Sequence, residues 1–296
     1  MHTWNENNAR GPYLTYSNLS FDAISFARSI THRGYTGIVG VPRSGMIVAS
    51  QVAVFLGLPL YSFDGNGIGT VGGGLRMQRA KPKIAKEKLL VLEDSCASGK
   101  SITNVQSKLA NESRKRKIEY GAIYASPATL PLLQVWHKTL PMPHWFEWNW
   151  PGSWYFNEVM NLGCDWDGIL NRDFTAEEDD DGKLYTKTMM EMEPLLVTNP
   201  IDIKFIVTAR LEKYRPYCQY WLQRHGMNVQ NLIMGPWSTK EERQGNCMGS
   251  WKADRLADLG CHLYVESCPV QARVISTRLD IPVICPVLGR SLYKGD

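Results

Sequence analysis

Apolar positions in the first part of the chain recur in two alternating rhythms. From Asn18 to His32 they fall at helical spacing, with Leu19, Ala23, Phe26 and Ile30 on one face. Thr36-Gly37-Ile38-Val39-Gly40-Val41 is then a short, nearly continuous apolar run, the pattern of a strand covered on both faces. Pro42-Arg43-Ser44-Gly45 breaks it. A helical run over Met46–Leu56 and a short strand over Leu58–Ser62 follow. Leu89-Leu90-Val91-Leu92 reads as the next buried strand. It runs into Glu93 and Asp94, and the loop Ala97-Ser98-Gly99-Lys100-Ser101 opens a helix over Ile102–Asn111. A strand over Tyr120–Ala125 comes after a basic surface run, Arg114 to Lys117. Residues 63–87 interrupt the alternation. Gly65, Gly67, Gly69, Gly72, Gly73 and Gly74 precede Arg76, Arg79, Lys81, Lys83, Lys86 and Lys88, which predicts a mobile segment with a basic trailing edge.

Residues 126–157 mix prolines and glycines with the run His144-Trp145-Phe146-Glu147-Trp148-Asn149-Trp150. A fresh strand-turn pattern at Val159 places a domain boundary near 157, giving domains 1–157 and 158–296. In the second, a strand over Val159–Cys164 meets Asp165-Trp166-Asp167-Gly168, and an acidic patch, Glu177 to Asp181, follows. A strand over Ile203–Val207 ends at Thr208-Ala209-Arg210. A helix over Leu211–His225 is closed by Gly226. Lys252 lies on a short helical run. A strand over His262–Val265 ends at Glu266-Ser267, and a helix over Val270–Thr277 and a strand at Val283-Ile284 complete the pattern. Strands alternate with helices in both halves. The predicted fold class is therefore α/β: two Rossmann-like domains, each a mostly parallel sheet flanked by helices.

Composition narrows this picture only slightly. With 296 residues, 44% hydrophobic and 21% charged, the chain has an ordinary globular balance and enough length for two cores. The net charge of +4 is too weak to argue for nucleic acid and suits anionic small substrates. No apolar run reaches the ~18 residues of a membrane-spanning helix. The start, MHTWNENNARGPY, has neither the basic nor the apolar region of a signal peptide. Seven scattered cysteines without metal-ligand spacing read as reduced thiols, so a cytoplasmic location is expected. Cys96 and Cys164 read as small packing residues. Small-molecule substrates are the expected partners, and a homodimer is left open.

Two constellations carry chemistry. In open α/β sheets ligands bind at the carboxyl ends of strands. A buried strand ending in Glu93 and Asp94, then a small-residue loop opening a helix, offers carboxylates to sugar hydroxyls. The loop's N–H groups face a phosphate. Val41-Pro42-Arg43-Ser44-Gly45 turns backbone N–H groups and a guanidinium toward a diphosphate. LLVLEDSCASGKS resembles the thirteen-residue signature of type I phosphoribosyltransferases, with Cys96 where that family has an aliphatic residue, and VPRSG resembles its diphosphate loop. The resemblance covers roughly half the chain. It implies 5-phosphoribosyl diphosphate (PRPP) as co-substrate with Mg²⁺. Glu93 and Asp94 would bind the ribose hydroxyls or their magnesium, Ala97, Ser98, Gly99, Lys100 and Ser101 the 5-phosphate, and Arg43, Ser44 and Gly45 the diphosphate.

The second constellation is Asp165 and Asp167, one residue apart at a strand end. That spacing points both side chains one way if the strand conformation persists. One carboxylate can attack phosphorus while the other handles the leaving-group proton. Thr208 can donate to a phosphoryl oxygen, Lys252 can neutralise charge, and Glu266 can complete an all-oxygen Mg²⁺ site. The order resembles the haloacid dehalogenase superfamily of phosphatases. CDWDG fits its first motif, VTAR its second, Lys252 (or Lys240) its third and VES its fourth. The resemblance implies an aspartyl-phosphate on Asp165, acid/base work by Asp167, and Mg²⁺ at Asp165, Asp167 and Glu266. Ser267 stands where the fourth motif offers a second acid. Arg210, Lys213 and Arg215 lie just past Thr208 and read as helix-surface charges, with reading of a substrate phosphate as the alternative. There is no room for a large cap, so the first half or the aromatic 144–150 segment is expected to cover this site.

The whole chain is similar to a bacterial and phage type of fusion of these two domains, on FEWN, CDWDG, IVTARLEKYR and YVESCPVQA. The expected activity is transfer of ribose 5-phosphate from PRPP to an unidentified base-like acceptor, then removal of the 5-phosphate. Two alternatives are a non-catalytic PRPP sensor and ribosylation of a lipid phosphate. Trp145, Trp148 and Trp150 read as core packing or as a stacking surface for a base.

Overall fold

The computed structural model describes residues 10–71, 87–149, 161–195 and 201–296. Gly72, Gly73, Gly74, Arg76, Arg79, Lys81, Lys83, Lys86, Trp150 and the expected boundary near 157 lie outside the described residues. The chain gathers into two compact units, Met1–Trp148 and Asn149–Asp296. Each holds a six-stranded, mostly parallel sheet flanked by helices, the architecture expected from the alternation.

The first unit runs β1 (Tyr13–Leu14), α1 (Tyr16–Ser29), β2 (Gly37–Gly40), α2 (Gly45–Leu56), β3 (Leu60–Phe63), β4 (Ile68–Thr70), β5 (Lys88–Cys96), α3 (Lys100–Lys108), β6 (Lys117–Ala125), β7 (Val135–Thr139) and β8 (Trp145–Phe146). The sheet order is β4-β3-β2-β5-β6-β7, all parallel except the β3–β4 hairpin. The segment expected to interrupt the alternation over 63–87 thus begins with a hairpin. Asp64 Oδ1 accepts from the N–H groups of Asn66 and Gly67 at 2.9 and 2.8 Å, a turn that folds Ile68–Thr70 back on β3. The chain order reverses between β2 and β5, so the crevice at their carboxyl ends is the switch point.

Pleat alternation sorts β5 between two cores. Leu90 and Leu92 pack with α1 and α2, through Leu19, Phe26, Val48 and Val52. Leu89 and Val91 pack with α3, through Ile102 and Val105. A strand covered on both faces must be apolar throughout, hence the unbroken run. Cys96 belongs to the α3-side core, 3% exposed, and burial pushes its thiol upward, so it packs as a small apolar residue.

The second unit runs β9 (Leu162–Cys164), α4 (Lys183–Glu191), β10 (Ile201–Leu211), α5 (Arg215–Arg224), β11 (Met227–Gly235), α6 (Lys240–Gln244), α7 (Met248–Asp258), β12 (Leu263–Val265), α8 (Pro269–Arg278), β13 (Val283–Cys285) and β14 (Arg290–Leu292). Its order is β11-β10-β9-β12-β13-β14, with only β14 antiparallel. The switch point is the carboxyl end of β9. The helix expected from Leu211 starts later, at Arg215, because β10 continues to Leu211 and Pro216 suits a first helical turn.

Candidate functional site

Glu93 and Asp94 follow directly on the apolar part of β5. Both are buried, 6% and 3% exposed. Glu93 Oε1 accepts from Ser101 Oγ at 2.5 Å, at the start of α3. Asp94 Oδ1 accepts from Ser44 Oγ at 2.7 Å and its Oδ2 from Trp148 Nε1 at 2.6 Å. Among the described residues, no lysine, arginine or histidine pairs with either carboxylate. Burial pushes Glu93 up to about 7, with Ser101 opposing and Asp94 adding to the rise. Burial also raises Asp94, against the hydrogen bonds from Trp148 and Ser44.

The loop between strand and helix is held from behind. Ser126 Oγ donates to the carbonyl of Ala97 at 2.8 Å, and Thr129 Oγ1 to that of Cys96 at 2.7 Å. Gly99 is left-handed, φ 75°, and α3 begins directly after it with no side-chain cap. The Lys100 N–H reaches Ser98 Oγ at 3.4 Å, a long contact, and Gly99 itself offers no side-chain acceptor, so the start of α3 suits an anion. Ser98 and Lys100 are exposed. Opposite, Gly45 opens α2 against the strand. A Cβ there would lie 2.8 Å from Leu92 O and 3.3 Å from Glu93 Cα, so only glycine allows this approach. The Pro42–Arg43 peptide bond is cis. Arg43 is exposed and, like Lys100, forms no ion pair among the described residues. Thus Ser44, Gly45, Glu93, Asp94, Gly99 and Ser101 come together, with Arg43, Ala97, Ser98 and Lys100 on the loops beside them.

Trp148, read from the sequence as core packing or a stacking surface for a base, instead joins the site through its N–H bond to Asp94, for which its aromatic run gave no hint. The ring stacks on Phe146, centroids 4.5 Å apart and planes at 14°, and Phe146 stacks on Tyr124 at 5.5 Å. The described part of the aromatic segment thus packs within the first unit. His144 Nε2 lies 3.4 Å from Ser95 Oγ, and its Nδ1 lies 3.1 Å from the carbonyl of Pro141.

In the second unit the strand conformation stops at Cys164, one residue before Asp165. Asp165 Oδ2 lies 2.7 Å from Lys252 Nζ, and its Oδ1 accepts from Trp166 N at 2.7 Å. Lys252 Nζ also bonds Glu266 Oε2 at 2.7 Å. Lys252 is therefore the lysine at this site. Lys240 instead pairs with Asp179 at 2.9 Å. Burial alone would lower the Lys252 ammonium, but Asp165 and Glu266 outweigh it and raise it. Burial, then Asp165, pushes Glu266 up against Lys252. Thr208, 1% exposed, ends the regular part of β10, and its Oγ1 accepts from Arg210 N at 3.3 Å.

Arg210 corrects the reading of a helix-surface charge. It lies on β10, 1% exposed, over Trp166 (4.6 Å) and Phe174 (5.3 Å). Its Nη2 and Nε donate to the two oxygens of Asp167 at 2.6 and 3.1 Å. Its place beside Thr208 at a strand end was the available signal. Lys213 and Arg215 pair with Asp181 and Glu212, as surface charges do. Asp173, not singled out from the sequence, faces this cluster; burial raises it, then Asp167 and Asp165.

The expected Mg²⁺ site at Asp165, Asp167 and Glu266 does not fit these side chains. The Lys252 ammonium fills the position between Asp165 and Glu266, and Arg210 takes both oxygens of Asp167. Ser267 Oγ takes the carbonyl of Asp167 at 2.8 Å. Among the described residues, no group of three or more His, Cys, Asp or Glu could hold a metal ion. No described helix is long and apolar enough to cross a membrane.

No protein-family model matches the chain, and no curated protein matches it. Among solved structures it is similar to a purine phosphoribosyltransferase from Pyrococcus horikoshii, with TM-score 0.36 and 18% identity over 46% of this chain and 92% of that one. It is similar to a xanthine-guanine-hypoxanthine phosphoribosyltransferase of Helicobacter pylori, with TM-score 0.35 and 16% identity over 46% and 91%. An orotate phosphoribosyltransferase from Aeropyrum pernix gives TM-score 0.29 and 17% identity over 38% and 58%. At these scores the likeness carries no weight for chemistry, which rests on the side chains above.

Proposed function

We propose that the first unit binds PRPP and transfers its ribose 5-phosphate to an acceptor, releasing diphosphate. The observation that carries this is the Glu93–Asp94 pair: two buried carboxylates with no described cation partner, at a sheet switch point, beside an uncapped helix start. Buried charge without a partner is costly, so such a pair is kept for a ligand that donates to it. Ribose hydroxyls do, and the N–H groups of Ser98 to Ser101 suit the 5-phosphate. The Arg43–Gly45 loop lies next to Asp94 through Ser44, where a diphosphate on the same sugar would fall. Glu93 and Asp94 are hard oxygen donors that fit Mg²⁺ arriving with PRPP, which would offset charge on the departing diphosphate. Arg43 adds positive charge there, and the acceptor attacks the anomeric carbon from the opposite face. A base-like acceptor is the favoured class; a lipid phosphate and a sensing role without turnover are the competing readings.

A second activity, hydrolysis of the 5-phosphate by the other unit, is favoured by the Lys252 contacts to Asp165 and Glu266 at that sheet's switch point. Asp165 would attack phosphorus as the bond to the sugar oxygen breaks, Lys252 and Thr208 would stabilise the phosphoryl charge, Asp167 beside Arg210 would serve the proton of the leaving oxygen, and water would then cleave the aspartyl-phosphate to free phosphate. All seven cysteines are free thiols, which supports a reducing, cytoplasmic setting. Incubation with PRPP, Mg²⁺ and a metabolite mixture should release diphosphate and then phosphate. Asp165→Asn should stop phosphate release alone. Release of neither from the parent chain rejects both activities.

A further inference from the structure

The segment between β7 and the end of the first unit returns to the carboxyl end of β5 and touches it twice. His144 meets Ser95, and Trp148 donates its indole N–H to Asp94 at 2.6 Å. Nothing in the loops already assigned to sugar or phosphate includes this strap. Its geometry is fixed independently of any ligand. β8 pairs with β1, Tyr13 opposite Trp145 and Leu14 opposite Phe146. Glu147 Oε2 accepts from Tyr16 N at 2.7 Å. Trp148 is clamped by its stack on Phe146, and Phe146 by Tyr124, whose hydroxyl donates to buried Asp22 at 2.8 Å. An indole held on its ring face has one orientation for its N–H, and here that N–H meets a buried carboxylate.

We propose that Trp148 is a positioning residue for sugar recognition: with Ser44 it fixes the Asp94 carboxylate, so that a ribose hydroxyl meets a preset acceptor. The proposal rests on the phosphoribosyl reading of the first unit. Ser44 is the side-chain donor to Asp94 Oδ1 and Trp148 the side-chain donor to Oδ2, with the backbone N–H groups of Asp94 and Ser95 beside them. Without the indole donor, Oδ2 loses its side-chain partner while Ser44 stays on Oδ1. The 5-phosphate loop touches neither Trp148 nor Asp94 in any described hydrogen bond, so the loss should fall on the sugar and spare the phosphate. Trp145 is the internal contrast. It lies three residues earlier in the same strap, 1% exposed, and its indole N–H has no partner among the described residues.

The test is calorimetric titration of the full chain, carrying Asp165→Asn so that the sugar phosphate is not consumed, with ribose 5-phosphate and with inorganic phosphate. Trp148→Phe keeps a stacking ring and removes the N–H. It should cut the preference for ribose 5-phosphate over phosphate by about tenfold, the scale of one hydrogen bond to a charged group, with phosphate binding unchanged. Trp148→His, which keeps a ring N–H, should recover part of the preference, and Trp145→Phe should leave it intact. An unchanged preference in Trp148→Phe, or an equal loss of both ligands there, overturns the proposal. A parent chain that prefers ribose 5-phosphate no more than phosphate overturns the phosphoribosyl reading as well.

Discussion

Glu93 links the site to the stability of the fold. Its carboxyl ionises at about 7 in the folded chain, against an ordinary 4.5, with burial the main cause. The folded state thus holds this proton more tightly than the unfolded state does. Between pH 4.5 and 7 the unfolded chain has released the proton and the folded chain has not, so stability falls as pH rises through that window. Below the window both states are protonated, and above it both are ionised. The whole shift amounts to roughly 3 kcal/mol. Glu93→Gln stays neutral and keeps an acceptor for Ser101. It should flatten the dependence of the urea midpoint between pH 5 and 8 and be the more stable chain at pH 8, while losing PRPP binding. A slope equal to the parent's would show that Glu93 is not the group responsible. Arg210 and Lys252 represent the opposite arrangement, in which buried cations already satisfy the carboxylates of the second unit.

At the scale of elements, α2 and β5 meet at Gly45 more closely than any side chain permits. Gly45→Ala places a methyl 2.8 Å from the Leu92 carbonyl, and backbone on both sides has little room to yield. We expect a loss of about 1–3 kcal/mol in urea unfolding, and weaker PRPP binding as Ser44 moves off Asp94. Parent-like stability would mean that α2 shifts freely. The elements also explain what was legible beforehand. Interior strands β2, β3, β5, β6, β9, β10, β12 and β13 announce themselves as apolar runs because helices cover both faces. The strands that escaped notice among the six-stranded sheets, β4, β7, β11 and β14, are the sheet edges. Val135-Trp136-His137-Lys138-Thr139 is mostly solvent-facing, and Met227–Gly235 has polar residues at many positions. Edge strands bury little, so apolar patterning carries little of them. The motif residues at strand ends were readable for the same reason as the strands they close. Trp148 and Arg210 were not, because their partners, Asp94 and Asp167, lie 54 and 43 residues away along the chain.

On the scale of the whole molecule, two sheets each carry a charged cluster at a switch point, and the clusters differ in kind. The first is anionic, with no described cation partner. The second is closed on itself through Lys252 and Arg210. The proposed capture of ligand by the first unit rests on this contrast. Isothermal titration of the full chain with PRPP in Mg²⁺ tests that claim most directly, comparing the parent with Asp94→Asn. The account predicts saturable binding by the parent, and at least about tenfold weaker binding when one of the buried carboxylates that read the ribose is neutralised. Equal affinity in the two chains, or no binding by the parent, would contradict it.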